Sequence, residues 1–208
     1  MGEVSGKVGV VVGRVWRGKK ILVSYNPRVI NPKTEKQQLH RARIKRIGQL
    51  SRVFQPCIKV GFEYVAIKEQ KTECGEFVKT NFPCVTATTP EDVTVDIQSL
   101  KVSIGKFPSV EFDTMAVGAN SLTVTFNSTW VEQEVSEDQV YIVLYFPQAE
   151  RVIVSNAVKR YQGTITETIP AELHGQQVYV YGFVKAAPTN LRYAGENSES
   201  VFIGTETV

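Results

Sequence analysis

The chain has 208 residues, 42% of them hydrophobic and 22% charged, which suffices for an ordinary core, and no run approaches the roughly 20 apolar residues of a membrane-spanning helix. The net charge of +3 conceals an uneven spread. The first sixty residues carry fourteen Lys and Arg against Glu3 and Glu35, a net of +12, whereas the other 148 carry ten against nineteen acidic residues, a net of −9.

Val8 to Trp16 and Lys20 to Tyr25 are rich in β-branched and aromatic residues and flank Arg17-Gly18-Lys19, which predicts a β-hairpin. A lone hairpin is marginal in water, so its apolar side must rest on something else. Pro27, Asn31 and Pro32 then punctuate the chain. Thr34, with Gln37 three residues on, fits a capping box and opens a helix that runs to about Phe54. At about 100° per residue, Leu39, Ala42, Ile47, Leu50, Val53 and Phe54 share one side of it, and Arg41, Lys45 and Arg52 cluster opposite as a cationic ridge. Arg43 and Arg46 fall within the apolar sector, where they must snorkel or protrude beyond the core. Pro56 and Gly61 interrupt this pattern. A shorter helix is expected from Thr72 to Asn81, with Phe77 and Val78 docking on the first.

From about Val85 onward, alternating β-type runs recur at Val93–Ile97, Leu122–Phe126, Val140–Phe146, Arg151–Val154, Thr164–Ile169, Gln177–Lys185 and Ser200–Ile203, parted by turn signals. The spacing argues for an antiparallel, immunoglobulin-like β-sandwich, in architecture only, since no Cys–Trp–Cys framework exists. The expected fold is therefore α+β: a basic hairpin-and-helix module over residues 1–84 and an acidic antiparallel β-sandwich over 85–208.

Ser5 to Gly9, Trp16 to Lys19, Asn31-Pro32-Lys33-Thr34-Glu35-Lys36-Gln37-Gln38 and Arg41 resemble an uncharacterised family abundant in Bacteroidetes. Its members open with a Gly-rich hairpin, an "NPRT…Q" helix start and a basic helix. Cys57 to Phe62 is similar to the segment that follows, and the β-rich half to the carboxyl part; Lys33 stands where arginine is expected. The resemblance implies a shared two-part architecture and no functional residue.

No catalytic centre is written in the chain, and an enzyme is not expected. Gly13 to Lys20 has the Gly-x₄-Gly-Lys spacing of a phosphate loop, but Lys20 replaces the magnesium-binding hydroxyl and a second strand, not a helix, follows. His40 and His174 lack metal-ligand spacing, and no nucleophile elbow is present. Glu132, Glu134, Glu137 and Asp138, like Glu91 and Asp92, read as solvated acidic loops, not calcium loops. Neither a metal nor a cofactor is expected. Cys57, Cys74 and Cys84 cannot all pair within one chain and read as reduced, buried thiols in a cytoplasmic protein; a Cys74–Cys84 bridge stays open as the alternative.

What remains is the basic front. Lys19, Lys20, Arg41, Arg43, Lys45, Arg46 and Arg52, with Trp16 and Tyr25 as aromatic contacts, form the candidate surface. The first expectation is a structural or protein-interaction role, with docking on an acidic partner or on another copy of the chain. The alternative is nucleic acid or another polyanion, and the second alternative is carbohydrate or surface recognition by the sandwich loops.

Overall fold

The computed structural model describes residues 6–25, 32–129 and 137–208. Pro27, Asn31, Glu132 and Glu134 lie outside the described residues. The chain groups into two compact units that divide between Gln38 and Leu39.

In the first unit the expected hairpin is a three-stranded antiparallel meander: β1 (Gly6–Val8), β2 (Val11–Trp16) and β3 (Lys19–Ser24). The run read as one strand from Val8 to Trp16 folds back on itself because Gly9, at φ +60°, occupies the left-handed region that a two-residue reversal requires. Arg17 and Gly18, both at positive φ, make the second reversal, so Trp16 pairs with Lys19. The phosphate-loop spacing is thus a hairpin turn.

The helix α1 (Glu35–Val53) starts just after Thr34, but the side chain that reaches back belongs to Gln38, whose amide donates to the Lys33 carbonyl at 3.0 Å. Two helices follow where only interruptions were expected, α2 (Gln55–Gly61) and α3 (Glu63–Lys68). Pro56 sits in the first turn of α2, where its missing N–H costs nothing, and so begins a helix instead of breaking one. Gly61 is the last residue of α2, and only glycine fits there, because the Val102 carbonyl comes within 2.1 Å of where a Cβ would lie. α4 (Glu73–Asn81) matches its expectation, with Thr72 Oγ1 accepting the Gly75 amide at 3.0 Å as its cap.

Ten more strands follow: β4 (Val85–Ala87), β5 (Val93–Val95), β6 (Phe112–Val117), β7 (Ser121–Phe126), β8 (Gln139–Phe146), β9 (Arg151–Val154), β10 (Val158–Lys159), β11 (Thr164–Thr168), β12 (Gln177–Lys185) and β13 (Val201–Thr207). β4 pairs with β5. The order β11-β7-β6 forms one sheet, and β10-β8-β12-β13 forms another in which β9 also pairs with β8. The described residues therefore make a mixed α+β fold of four α-helices and thirteen strands in antiparallel sheets.

The second unit is layered by the two faces of β8 and β12. Val140, Ile142, Leu144 and Phe146, with Val178, Val180 and Val184, meet Leu122, Val124, Phe126 and Ile165 of the three-stranded sheet. Gly182 on the same face leaves room for the Phe112 ring, which would lie 2.1 Å from an added Cβ. The alternate residues Val143, Tyr145, Tyr181 and Phe183 face the helices and pack with Ile47, Leu50, Phe54, Cys57, Phe62 and Phe77. Phe54 joins the layers, its ring 4.8 Å from that of Tyr145 and 5.6 Å from that of Phe77. The helices after Leu39 thus share a core and a unit with the strand-rich half, whereas the expectation had grouped them with the hairpin.

Candidate interaction surface

The basic residues divide between the two units. The first unit carries eight Lys and Arg against Glu3 and Glu35, a net of +6; residues 39–208 carry sixteen against nineteen acidic residues, a net of −3.

In the second unit the cations of α1 have separate duties. Arg43 is not available as a surface charge: Nε donates to the Val85 carbonyl at 2.6 Å and Nη2 to the Phe82 carbonyl at 3.1 Å, with the guanidinium 4.0 Å from the Phe82 ring centre. It thus ties α1 to the chain that leaves α4. Arg46 pairs with the exposed Glu150 at 3.5 Å. Both fall in the apolar sector; Arg43 is spent on backbone carbonyls, whereas Arg46 snorkels to an ion pair at the surface. Arg41, Lys45 and Arg52 are exposed on the opposite side, as their spacing predicts.

The first unit presents the more unusual surface. Of its three strands only Gly13 is buried; Val12 and Ile21 are half-buried. Register sorts the rest. Val8 lies opposite Val11, Gly13 opposite Leu22, and Val15 opposite Lys20, so one side carries Val8, Val11, Val15 and Leu22 with Lys20 and Ser24. Val8, Val15 and Leu22 are 67%, 59% and 68% exposed. The other side carries Lys7, Val12, Arg14, Trp16, Lys19, Ile21 and Val23, with Tyr25 one step beyond β3. Trp16 and Tyr25 are 49% and 42% exposed, and the Lys7 ammonium lies 3.7 Å from the centre of the Tyr25 ring. Lys19 and Lys20 therefore point to opposite sides, as neighbours in a strand must. Sequence reading missed Lys7, Arg14, Val8 and Leu22; the turn at Arg17-Gly18 fixes the register that would have sorted them.

Elsewhere the chemistry is tied down. A cavity of about 520 Å³ has Cys84, Thr86, Thr94, Asp96 and Ser99 on its wall. Asp96 accepts from the Ser99 hydroxyl at 2.6 Å, the Thr86 and Thr94 hydroxyls bond each other at 2.7 Å, and Cys84 Sγ donates to the Ser99 carbonyl at 3.4 Å. Burial, and then the negative charge of Asp96, push the Cys84 thiol up, so it stays protonated. Cys57 is raised further by complete burial, and all three cysteines are free. His40 packs against the Phe82 ring at 5.2 Å, and a ring nitrogen of His174 lies 3.3 Å from the Ile169 carbonyl. Of the expected acidic loop, Glu137 pairs with Lys159, and Asp138 is fully buried, accepting the Ala187 amide at 2.8 Å. The solvated reading of Asp138 is thus wrong, because its carboxylate serves the backbone of the 187–190 turn. No group of three metal-ligating side chains occurs among the described residues, and no helix there is long and apolar enough to cross a membrane.

The sequence profile of a family described as "Family of unknown function (DUF6266)" matches residues 3–204. No curated protein matches the chain.

Proposed function

The chain belongs to that family of unknown function, DUF6266, and we propose that it is a non-enzymatic interaction protein whose N-terminal sheet docks on a protein surface, a second copy of the chain being the partner. One observation carries this reading: β1–β3 leave the Val8, Val11, Val15 and Leu22 side exposed and bury only Gly13. Two or three strands without a covered apolar face are marginal in water, and a unit of 38 residues is too small to supply its own cover. Burying a Val or Leu side chain contributes about 1.5–3 kcal/mol, so those four side chains can supply the affinity. Exposed ion pairs contribute about 0–1 kcal/mol each and would orient the partners more than hold them. The opposite charges of the two units, +6 and −3, favour a copy of the chain over a basic partner.

The test is light scattering of the full chain over a range of concentration and salt. Association that persists at high salt and is lost in the double variant Val8→Ser, Leu22→Ser, with unchanged far-UV circular dichroism, supports the reading. A wild-type chain that is monomeric at every concentration and ionic strength ends it.

A further inference from the structure

We infer that the opposite side of the same sheet, the Lys7–Arg14–Trp16–Lys19–Tyr25 side, is a platform for single-stranded nucleic acid. The inference stands on different side chains from the docking reading above.

The register sets these residues in rows. Trp16 and Lys19 form the row at the turn, Arg14 and Ile21 the next, Val12 and Val23 with Lys7 the third, and Tyr25 stands one row beyond. Rows two residues apart along a strand repeat at about 7 Å, so the aromatic rings mark the two ends of a track of about 20 Å with Arg14 and Lys7 between them. β1–β3 contain no Asp or Glu, so nothing acidic on the strands competes for these cations. The contact between Lys7 and the Tyr25 ring shows that side chains of β1 and of the segment after β3 meet on this face. The Arg17 guanidinium lies 5.8 Å from the Trp16 ring at the other end.

Cations that track a phosphate backbone, combined with exposed rings on which bases stack, are the two requirements for binding a single strand without sequence preference. A duplex offers the phosphates but keeps its bases stacked internally, leaving Trp16 and Tyr25 without a role. An acidic polypeptide would use the cations alone. Charge complementarity and the two rings together therefore select an unpaired strand as the occupant.

The probe is a labelled oligothymidylate of about 12 nucleotides, followed by fluorescence anisotropy with the full chain at about 50 mM salt. If Lys7, Arg14 and Lys19 each neutralise one phosphate, log affinity falls with log salt at a slope of about −2. Arg14→Gln then makes the slope shallower by about 0.7, while Lys20→Gln, on the other side, leaves it near the wild-type value. Trp16→Ala weakens binding about tenfold, and Trp16→Phe, which keeps a stacking face, restores most of it. Binding by the Val8→Ser, Leu22→Ser variant at wild-type strength would show that the platform is independent of self-association. No binding of the oligonucleotide overturns the inference. So does equal binding of a duplex or of polyglutamate with no effect of Trp16→Ala, which marks simple charge attraction. Binding to phosphatidylserine vesicles without binding to the oligonucleotide overturns it in favour of a lipid surface.

Discussion

Val10-Val11-Val12, at the turn into β2 of the N-terminal sheet, and Ile142-Val143-Leu144 in β8 have the same texture as sequence and opposite fates. Both β8 and β12 are buried on their two faces, by the three-stranded sheet on one side and by the helices on the other. The strands β1–β3 bury almost nothing. A β-type run thus specifies a strand, and the layers around it decide whether the strand is core or contact surface. The difference is why the docking proposal rests on the strands that the fold has left uncovered.

The largest expected effect lies in this contrast. Phe183→Ala removes a fully buried ring that stacks on Tyr141 at 5.1 Å and should lower unfolding stability by about 3–5 kcal/mol in urea titrations followed by circular dichroism. Leu22→Ala should change it by no more than about 0.5 kcal/mol in dilute monomer. A comparable loss in both variants would mean that Leu22 belongs to a core, and the distinction between covered and uncovered strands would fail.

The same contrast runs through the cations of α1. Arg43 satisfies two backbone carbonyls and covers the Phe82 ring, so Arg43→Ala should cost about 1.5–3 kcal/mol, the range for hydrogen bonds to a charged group. Lys45→Ala, two residues on and exposed, should stay within about 0.5 kcal/mol. Parallel urea titrations check both, and equal costs would show that α1 has no division between structural and free charge.

These two arginines also show how far the sequence reaches. That Arg43 and Arg46 break the apolar stripe of α1 is visible at 100° per residue, and so is the exposure of Arg41, Lys45 and Arg52. Their partners are not visible: Arg43 bonds carbonyls about 40 positions away, and Arg46 meets Glu150, 104 positions away. Runs of β-branched and aromatic residues such as β8, β9 and β12 announce themselves because both of their faces meet apolar neighbours. β6 does not, since the register shift between Phe112 and Thr114 interrupts its alternation. Pro56 misleads because proline stops a helix in its interior and suits its first turn, a distinction of position and not of residue type. Asp138 misleads because an acidic neighbourhood in sequence says nothing of a backbone amide 49 positions away. On the candidate surface, Trp16, Tyr25, Lys19 and Lys20 were legible as a basic, aromatic cluster. Their division between two faces needed the register.

The smallest effect tests whether the uncovered sheet folds for its own reasons. Arg17 occupies φ +48°, a conformation that L-residues other than Asn and Asp adopt at a cost, in a turn whose next residue, Gly18, is already suited to it. Arg17→Asn should therefore stabilise the β2–β3 turn by up to about 1 kcal/mol, since an Asn-Gly pair is the preferred sequence for this reversal. Because the sheet and the layered core lie in separate compact units, the gain should appear as slower hydrogen exchange of the amides from Val11 to Ser24, with exchange in β8 and β12 unchanged. If protection rises in β8 and β12 by the same factor, the N-terminal sheet opens only with the core. It would then be a cooperative part of that core and not an independent surface held out for a partner.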